Sequence, residues 1–313
     1  MKHEIWDNAH MDDAGYLTAA AIGHGAREIL QTETDASVWG DTSKGLFAVT
    51  DNKKALFISQ QPFKGPLTIN VNGNFPWHEK LSHGTHLVLA PDQIRFIQSD
   101  LIIKITPQTQ VWTPTILNMT GFDLKAFINR SKLIEDEMIS QLSNRKSDLT
   151  SSKPGNLAIQ DQTQENNPNI ENNLKSALYS RNEAAVFESL SNSLGYGEGL
   201  TPSGDDLICG FLLAAHAWEE ILYPDFSFKK TILKIVETAR KKTTALSANL
   251  IACAASGSAD ERIINCVKWF NNGGLSAALI MEELLSYGSS SGLDTLAGML
   301  AFIQASPIVQ QEL

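Results

Sequence analysis

Apolar residues in this chain keep two different rhythms, and the change between them near residue 115 limits what it can fold into. Up to that point the apolar runs are short and rich in β-branched and aromatic residues. Val38, Leu46-Phe47-Ala48-Val49, Ala55-Leu56-Phe57-Ile58, Leu67-Thr68-Ile69-Asn70-Val71, His86-Leu87-Val88-Leu89, Ile94-Arg95-Phe96-Ile97 and Leu101-Ile102-Ile103-Lys104-Ile105 are such runs. Turn residues such as Asp51-Asn52, Gly65-Pro66, Pro91-Asp92 and Ser99-Asp100 separate them, as expected of strands joined by tight connections. The expectation is an antiparallel β domain of about six strands, a small barrel or a sandwich, over 1–115. A short helix is expected over 12–30.

From 123 to 145 the spacing becomes helical, with Leu124, Phe127, Ile128, Leu133, Ile134, Met138 and Leu142 on one stripe. The segment 116–147 reads as a helix bridging two domains. The stretch 148–173, poor in apolar residues and rich in Ser, Asn and Gln, reads as a flexible loop. Beyond it, 174–313 reads as an all-α domain, with helices over 182–194, 206–222, 228–242, 245–256, 260–270, 275–287 and 294–305. The fold class is therefore α+β, an N-terminal antiparallel β barrel or sandwich followed by a C-terminal all-α domain.

Charge and cysteine content exclude some functions. A net charge of −10 and a pI near 5.2, without a long Lys/Arg cluster, argue against nucleic acid or an anionic membrane surface as partner. Neither a signal core nor a membrane-length apolar window is evident, so a cytoplasmic protein is expected. Cys209, Cys253 and Cys266 form no CxxC pair and are expected to be buried apolar residues. His78, His83 and His86 are close together but lack the carboxylate or thiolate spacing of a metal site.

Chemistry concentrates where a glycine loop runs into a helix. Gly195-Tyr196-Gly197-Glu198-Gly199-Leu200-Thr201-Pro202-Ser203-Gly204-Asp205-Asp206 leads directly into Leu207-Ile208-Cys209-Gly210-Phe211-Leu212. A helix start offers unpaired N–H groups and partial positive charge, which suit an anion or a substrate carbonyl. Simple capping by Thr201 or Ser203 is the plainer alternative.

The stretch has an echo. Ser203-Gly204-Asp205-Asp206-Leu207-Ile208-Cys209-Gly210-Phe211-Leu212 aligns without gaps on Ser291-Gly292-Leu293-Asp294-Thr295-Leu296-Ala297-Gly298-Met299-Leu300. If the two helices cross near Gly210 and Gly298, Asp206 and Asp294 flank one cavity as the catalytic candidates. Gly199, Thr201, Ser203, Gly204, Asp205, Ser290, Ser291, Gly292 and Thr295 would line it as substrate-binding residues. The carboxylates could accept hydrogen bonds from an amide, move a proton, or hold magnesium against a phosphate; no cofactor is expected, with magnesium left open. Thr243, Thr244 and Ser247, which follow Arg240-Lys241-Lys242, complete the candidates, with Arg240 and Asn249 behind them.

On these residues the chain resembles the AllH-type family. The string Gly199-Leu200-Thr201-Pro202-Ser203-Gly204-Asp205-Asp206, then Thr243-Thr244 with Leu246-Ser247, then Ser290-Ser291-Gly292 with Asp294-Thr295-Leu296 carry the resemblance. It implies a subunit of oxamate carbamoyltransferase, working with two other kinds of subunit in allantoin breakdown. The implied reaction converts oxalurate and phosphate to oxamate and carbamoyl phosphate. Its partners would be the other subunits, a small anionic substrate and phosphate. The family's second motif carries a histidine ahead of its serines, where this chain has Ser289. Two other functions fit the residues alone: a non-catalytic metabolite-binding or scaffold subunit, and a magnesium-dependent phosphotransferase. The lack of a Walker-type lysine after the glycine loop counts against an ordinary nucleotide site.

Overall fold

The computed structural model describes residues 16–73, 75, 77, 81–97, 99, 101–114, 121–151 and 170–312. They fall into two compact units. The first takes the described residues of Met1–Thr115 with Ala248–Cys253 and Ser258–Glu261; the second takes those of Ile116–Ser247, Ala254–Gly257 and Arg262–Leu313.

The first unit is a closed eight-stranded β barrel over residues 16–112. Its strands are β1 (Tyr16–Gly23), β2 (Asp35–Thr42), β3 (Gly45–Thr50), β4 (Ala55–Ser59), β5 (Thr68–Val71), β6 (His86–Ala90), β7 (Gln93–Phe96) and β8 (Ile102–Lys104), with β9 (Gln110–Trp112) following β8 along the same edge of β1. The order β5-β4-β3-β2-β6-β7-β8-β1 closes because β1 also pairs antiparallel with β5, Ile22 facing Ile69. Closure removes the exposed edges that an open sheet of this size would leave. Most neighbours are antiparallel, but β1 runs parallel to β8 and β9, and β4 runs parallel to β5. Alternate residues point inward, and Leu17, Val38, Leu46, Ala48, Leu56, Ile58, Ile69, Leu87, Ile94, Phe96 and Ile103 fill the interior, with Leu250 and Cys253 packed against it.

Two strands depart from expectation. Tyr16–Gly23, expected to be helical, is β1, and only α1 (His24–Thr32) carries the helix that was read there; 12–15 lie outside the described residues. Ala19, Ala20 and Ala21 favour a helix in isolation, but pairing with three other strands outweighs a propensity worth a few tenths of a kcal/mol per residue. The short β9 was not anticipated.

The second unit is helical throughout. It comprises α2 (Leu124–Ser151), α3 (Ile170–Tyr179), α4 (Glu183–Ser193), α5 (Ser203–Leu222), α6 (Lys229–Lys242), α7 (Ala245–Ala255, shared with the first unit), α8 (Glu261–Asn272), α9 (Ala277–Tyr287), α10 (Ser291–Gln304) and α11 (Pro307–Glu312). Within 148–173, read as a loop, α2 continues to Ser151 and α3 begins at Ile170, while 152–169 lie outside the described residues. No described helix is long and apolar enough to cross a membrane.

Helices α5 and α10 are the central pair, sharing the most extensive helix–helix contact among the described residues. Both are buried along nearly their whole length, so neither shows the one-sided stripe of a surface helix. Below the site, Phe211, Phe302, Phe228 and Tyr223 pack edge-on, and the Tyr223 hydroxyl donates to the Phe302 carbonyl at 2.8 Å. Such buried ring contacts add about 0.5–1.5 kcal/mol per pair beyond area burial, which fixes the two helices against each other.

Candidate functional site

The pair crosses on two glycines. A Cβ on Gly210 would lie 1.9 Å from the Thr295 carbonyl oxygen, and one on Gly298 would lie 2.0 Å from the Leu207 carbonyl oxygen. These contacts are mirror counterparts. In the aligned repeats Thr295 matches Leu207 and Gly298 matches Gly210, so exchanging the copies exchanges the two contacts. The helices are thus related by an approximate local two-fold, and their N-termini meet on one side.

Each helix start is also fitted by a glycine to the helix before it. A Cβ on Gly204 would stand 2.0 Å from the Ser193 carbonyl oxygen, and one on Gly292 2.0 Å from the Leu284 carbonyl oxygen. Gly195, Gly197 and Gly199 adopt φ of +74°, +110° and +94°, the left-handed region that side-chain-bearing residues rarely enter. The first loop therefore needs its glycines for shape.

Neither helix is capped by a side chain. Pro202 occupies the N-cap of α5 and Ser290 that of α10, without a capping side-chain bond in either case. The capping role considered for Thr201 and Ser203 is not adopted, and their hydroxyls turn to the acidic residues instead. Ser291 and Thr201, whose oxygens are 3.1 Å apart, face Asp206, while Ser290 and Ser203 face Asp294. Ser291 with Asp206 and Ser203 with Asp294 repeat the same exchange seen at the glycines.

Burial holds Asp206 well above the ordinary carboxylate range; Ser291 and Thr201 oppose the shift, and the neighbouring charges of Asp294 and Asp205 add to it. Asp206 is 3 % exposed. Asp294 is also raised by burial, against hydrogen bonds from Ser290 and Ser203. In both residues the Oδ2 atom is sealed from solvent and has no hydrogen-bond partner. Interacting carboxyls, one buried and one half-buried, resist double ionisation, so together they retain a proton more readily than either would in water.

Asp205 behaves differently although it is adjacent. It is 1 % exposed, and its Oδ1 accepts from the Gly195 N–H at 2.8 Å while Oδ2 accepts from the Thr243 hydroxyl. Burial raises its carboxyl above the usual range, with Thr243, Gly195 and Ser247 pulling the other way. The buried Ser247 hydroxyl faces it without completing a bond of regular geometry. Thr244 donates to the Leu200 carbonyl at 2.9 Å and accepts from the Ser247 N–H at 3.1 Å. Thr243, Thr244 and Ser247 therefore meet the first loop and Asp205.

Other candidates are accounted for in the packing. The Thr295 hydroxyl bonds back to the Ser291 carbonyl at 2.7 Å within α10. Asn249 donates to the Lys53 carbonyl at 2.8 Å, Lys242 reaches Ser191, and Arg240 is exposed. Several helix-start N–H groups are occupied too. Gly204 donates to the Tyr196 carbonyl, Asp205 and Asp206 to that of Pro202, and Leu293 and Asp294 to that of Ser290. Gly199, Thr201, Ser203, Ser290 and Ser291 retain exposure, and the last four form a rim of hydroxyls facing the two aspartates.

Among the described residues no group of three or more His, Cys, Asp and Glu side chains gathers as a metal site. His86 bonds Asp35 at 2.9 Å, His83 is exposed, and His78 lies outside the described residues. What the sequence did not reveal is Tyr196, whose carbonyl closes on Gly204; a backbone acceptor leaves no mark in side-chain pattern.

Residues 193–303 match the family AllH, described as oxamate carbamoyltransferase subunit AllH. The match contains both repeats and everything just described around them, so the resemblance drawn from the motifs holds over this part of the chain. No solved structure matches the chain.

Proposed function

We propose that this chain is a subunit of an oxamate carbamoyltransferase-like assembly and that the reacting carbamoyl group meets Asp206 and Asp294. The observation that carries the reading is the pair of sealed, unpartnered Oδ2 atoms at the meeting point of the repeats, inside the residues that match the family. Carboxylates placed only to pack would have their acceptors filled, as those of Asp205 are.

The chemistry is a transfer between two acceptors. A phosphate oxygen attacks the ureido carbonyl carbon of oxalurate, the bond from that carbon to the oxamate nitrogen breaks, and the nitrogen leaves with a proton as oxamate. The leaving nitrogen is a poor leaving group unless protonated, so an acid is needed at that atom. A buried carboxyl pair that keeps one proton supplies it, while the second carboxyl holds the group in place. The hydroxyls of Ser203, Ser291 and Thr201 each carry one proton and engage the two aspartates, so one that turns from its aspartate when substrate fills that carboxyl can donate to the carbonyl oxygen as it gains charge.

The test is phosphate-dependent carbamoyl phosphate formation by the chain assembled with its partner subunits. Asp206→Asn and Asp294→Asn should each lower turnover by about 10²-fold or more while helical circular dichroism is retained. Full activity in both variants would overturn the assignment of these residues. The packing-only alternative predicts co-purification with partners and no loss on either substitution.

A further inference from the structure

We infer that the Asp206–Asp294 floor receives the N–H side of a neutral ureido or carbamoyl group and offers no place to phosphate, so that phosphate reaches the carbonyl while held by groups outside this floor. The inference rests on the carbamoyl-transfer reading for its substrate, and it divides the contacts to that substrate pair between this floor and groups beyond it.

Acceptors here exceed donors. Asp206 is almost wholly buried and its Oδ2 has no partner; the Oδ2 of Asp294 is in the same condition across the local two-fold. Leaving a buried acceptor unfilled costs about 1–3 kcal/mol, more for a charged group, so the site is complete only when donors arrive. No Lys, Arg or His among the described residues forms an ion pair with either aspartate. No Lys or Arg is among the groups acting on either carboxyl; Lys242 donates to Ser191.

An anion fits poorly. It would meet two carboxyls without a compensating cation, and the N–H groups of Gly204, Asp205 and Leu293, three of the first-turn donors that a helix start would otherwise turn to an anion, already bond to carbonyls. A ureido group reverses each of these terms. It is planar and uncharged, carries N–H donors on both nitrogens, and can serve two acceptors related by a two-fold. Once its N–H groups fill the carboxyls, the hydroxyls of Ser203, Ser291 and Thr201 that had faced them are released to donate to its carbonyl.

Binding to the full chain tests this without turnover. N-carbamoylglycine, which carries a ureido group and a carboxylate, is titrated calorimetrically alongside inorganic phosphate, glycine and magnesium chloride. The expected result is a heat signal with N-carbamoylglycine and none with the other three, weakened about tenfold or more by Asp206→Asn and by Asp294→Asn. With ¹⁵N-labelled ureido nitrogens, the N–H proton resonances should move downfield on binding to the unaltered chain, a readout that does not depend on any variant folding. Binding of phosphate or magnesium in place of the ureido compound, absence of binding by all four, or unchanged affinity in both variants would overturn the inference. Ureido binding without carbamoyl phosphate formation by the assembly would uphold it while removing the proposed reaction; phosphate binding with normal turnover would do the reverse.

Discussion

The two repeats share a floor and differ in their walls. Ser203, Gly204, Asp206 and Gly210 have counterparts in Ser291, Gly292, Asp294 and Gly298 that occupy equivalent contacts. Asp205, however, faces Leu293 in the alignment, and the long glycine loop before α5 faces only Gly288-Ser289-Ser290 before α10. The first loop needs three glycines at positive φ and an internal carboxylate to hold it; in the second turn Gly288 has an extended backbone at φ −167°. What the copies share forms the meeting point of the helices. What they do not share stabilises one loop only.

Substitutions at the crossing test the shared part and should have the largest effect. Gly210→Ala and Gly298→Ala each force a methyl into a backbone carbonyl at about 2 Å, and should destabilise the helical unit by about 1–3 kcal/mol or more. Denaturant unfolding of both variants checks this; similar losses support the two-fold relation, and a loss in only one breaks it.

The unshared part is tested by making the first copy resemble the second. Asp205→Leu removes the acceptor of the Gly195 N–H and the Thr243 hydroxyl, leaving both donors unsatisfied at a cost of about 1–3 kcal/mol. Amide hydrogen exchange should quicken in the 195–204 loop and leave the 288–291 turn unchanged. Equal changes in the two loops would contradict a role confined to the first copy.

A smaller and more gradual effect comes from pH. Asp205, Asp206 and Asp294 all have native-state proton affinities raised above the ordinary value of 3.8, so between that value and the raised ones the native state binds more protons than the unfolded state. Stability should therefore fall as pH rises from about 4, by up to about 1.4 kcal/mol per pH unit for each proton taken up. Thermal melts across pH 4–8 measure the slope, and Asp206→Asn should make it shallower. An unchanged slope would remove Asp206 from the group that titrates on unfolding.

Local pattern carried much of this. The β-branched runs became β2 to β8, the helical periods became α4 to α10 within a few residues at each end, and the repeat marked Asp206 and Asp294 as partners. Misreadings have a common origin. Propensity alone makes helix of the three alanines of β1, while its pairing with β5, β8 and β9 involves residues distant in sequence. Thr201 and Ser203 look like capping residues in the sequence, and only the approach of α10 gives their hydroxyls other partners. Asp205 and Asp206 are indistinguishable as adjacent letters, yet neighbouring positions on a helix point about 100° apart, so one meets the glycine loop and the other the opposite repeat.

The sequence by itself determined the α+β class, the change from strands to helices, and the existence of two related loop–helix starts, because these follow from side-chain periodicity and backbone preference over short windows. Tertiary structure alone decided that the barrel closes through β1 and β5, that Gly210 and Gly298 bring two helix starts together, and that Asp205 is filled while Asp206 and Asp294 each keep an unpartnered oxygen. Those outcomes depend on hydrogen bonds and carbonyl contacts between segments far apart in the chain, and no local pattern encodes which distant backbone atom a side chain will meet.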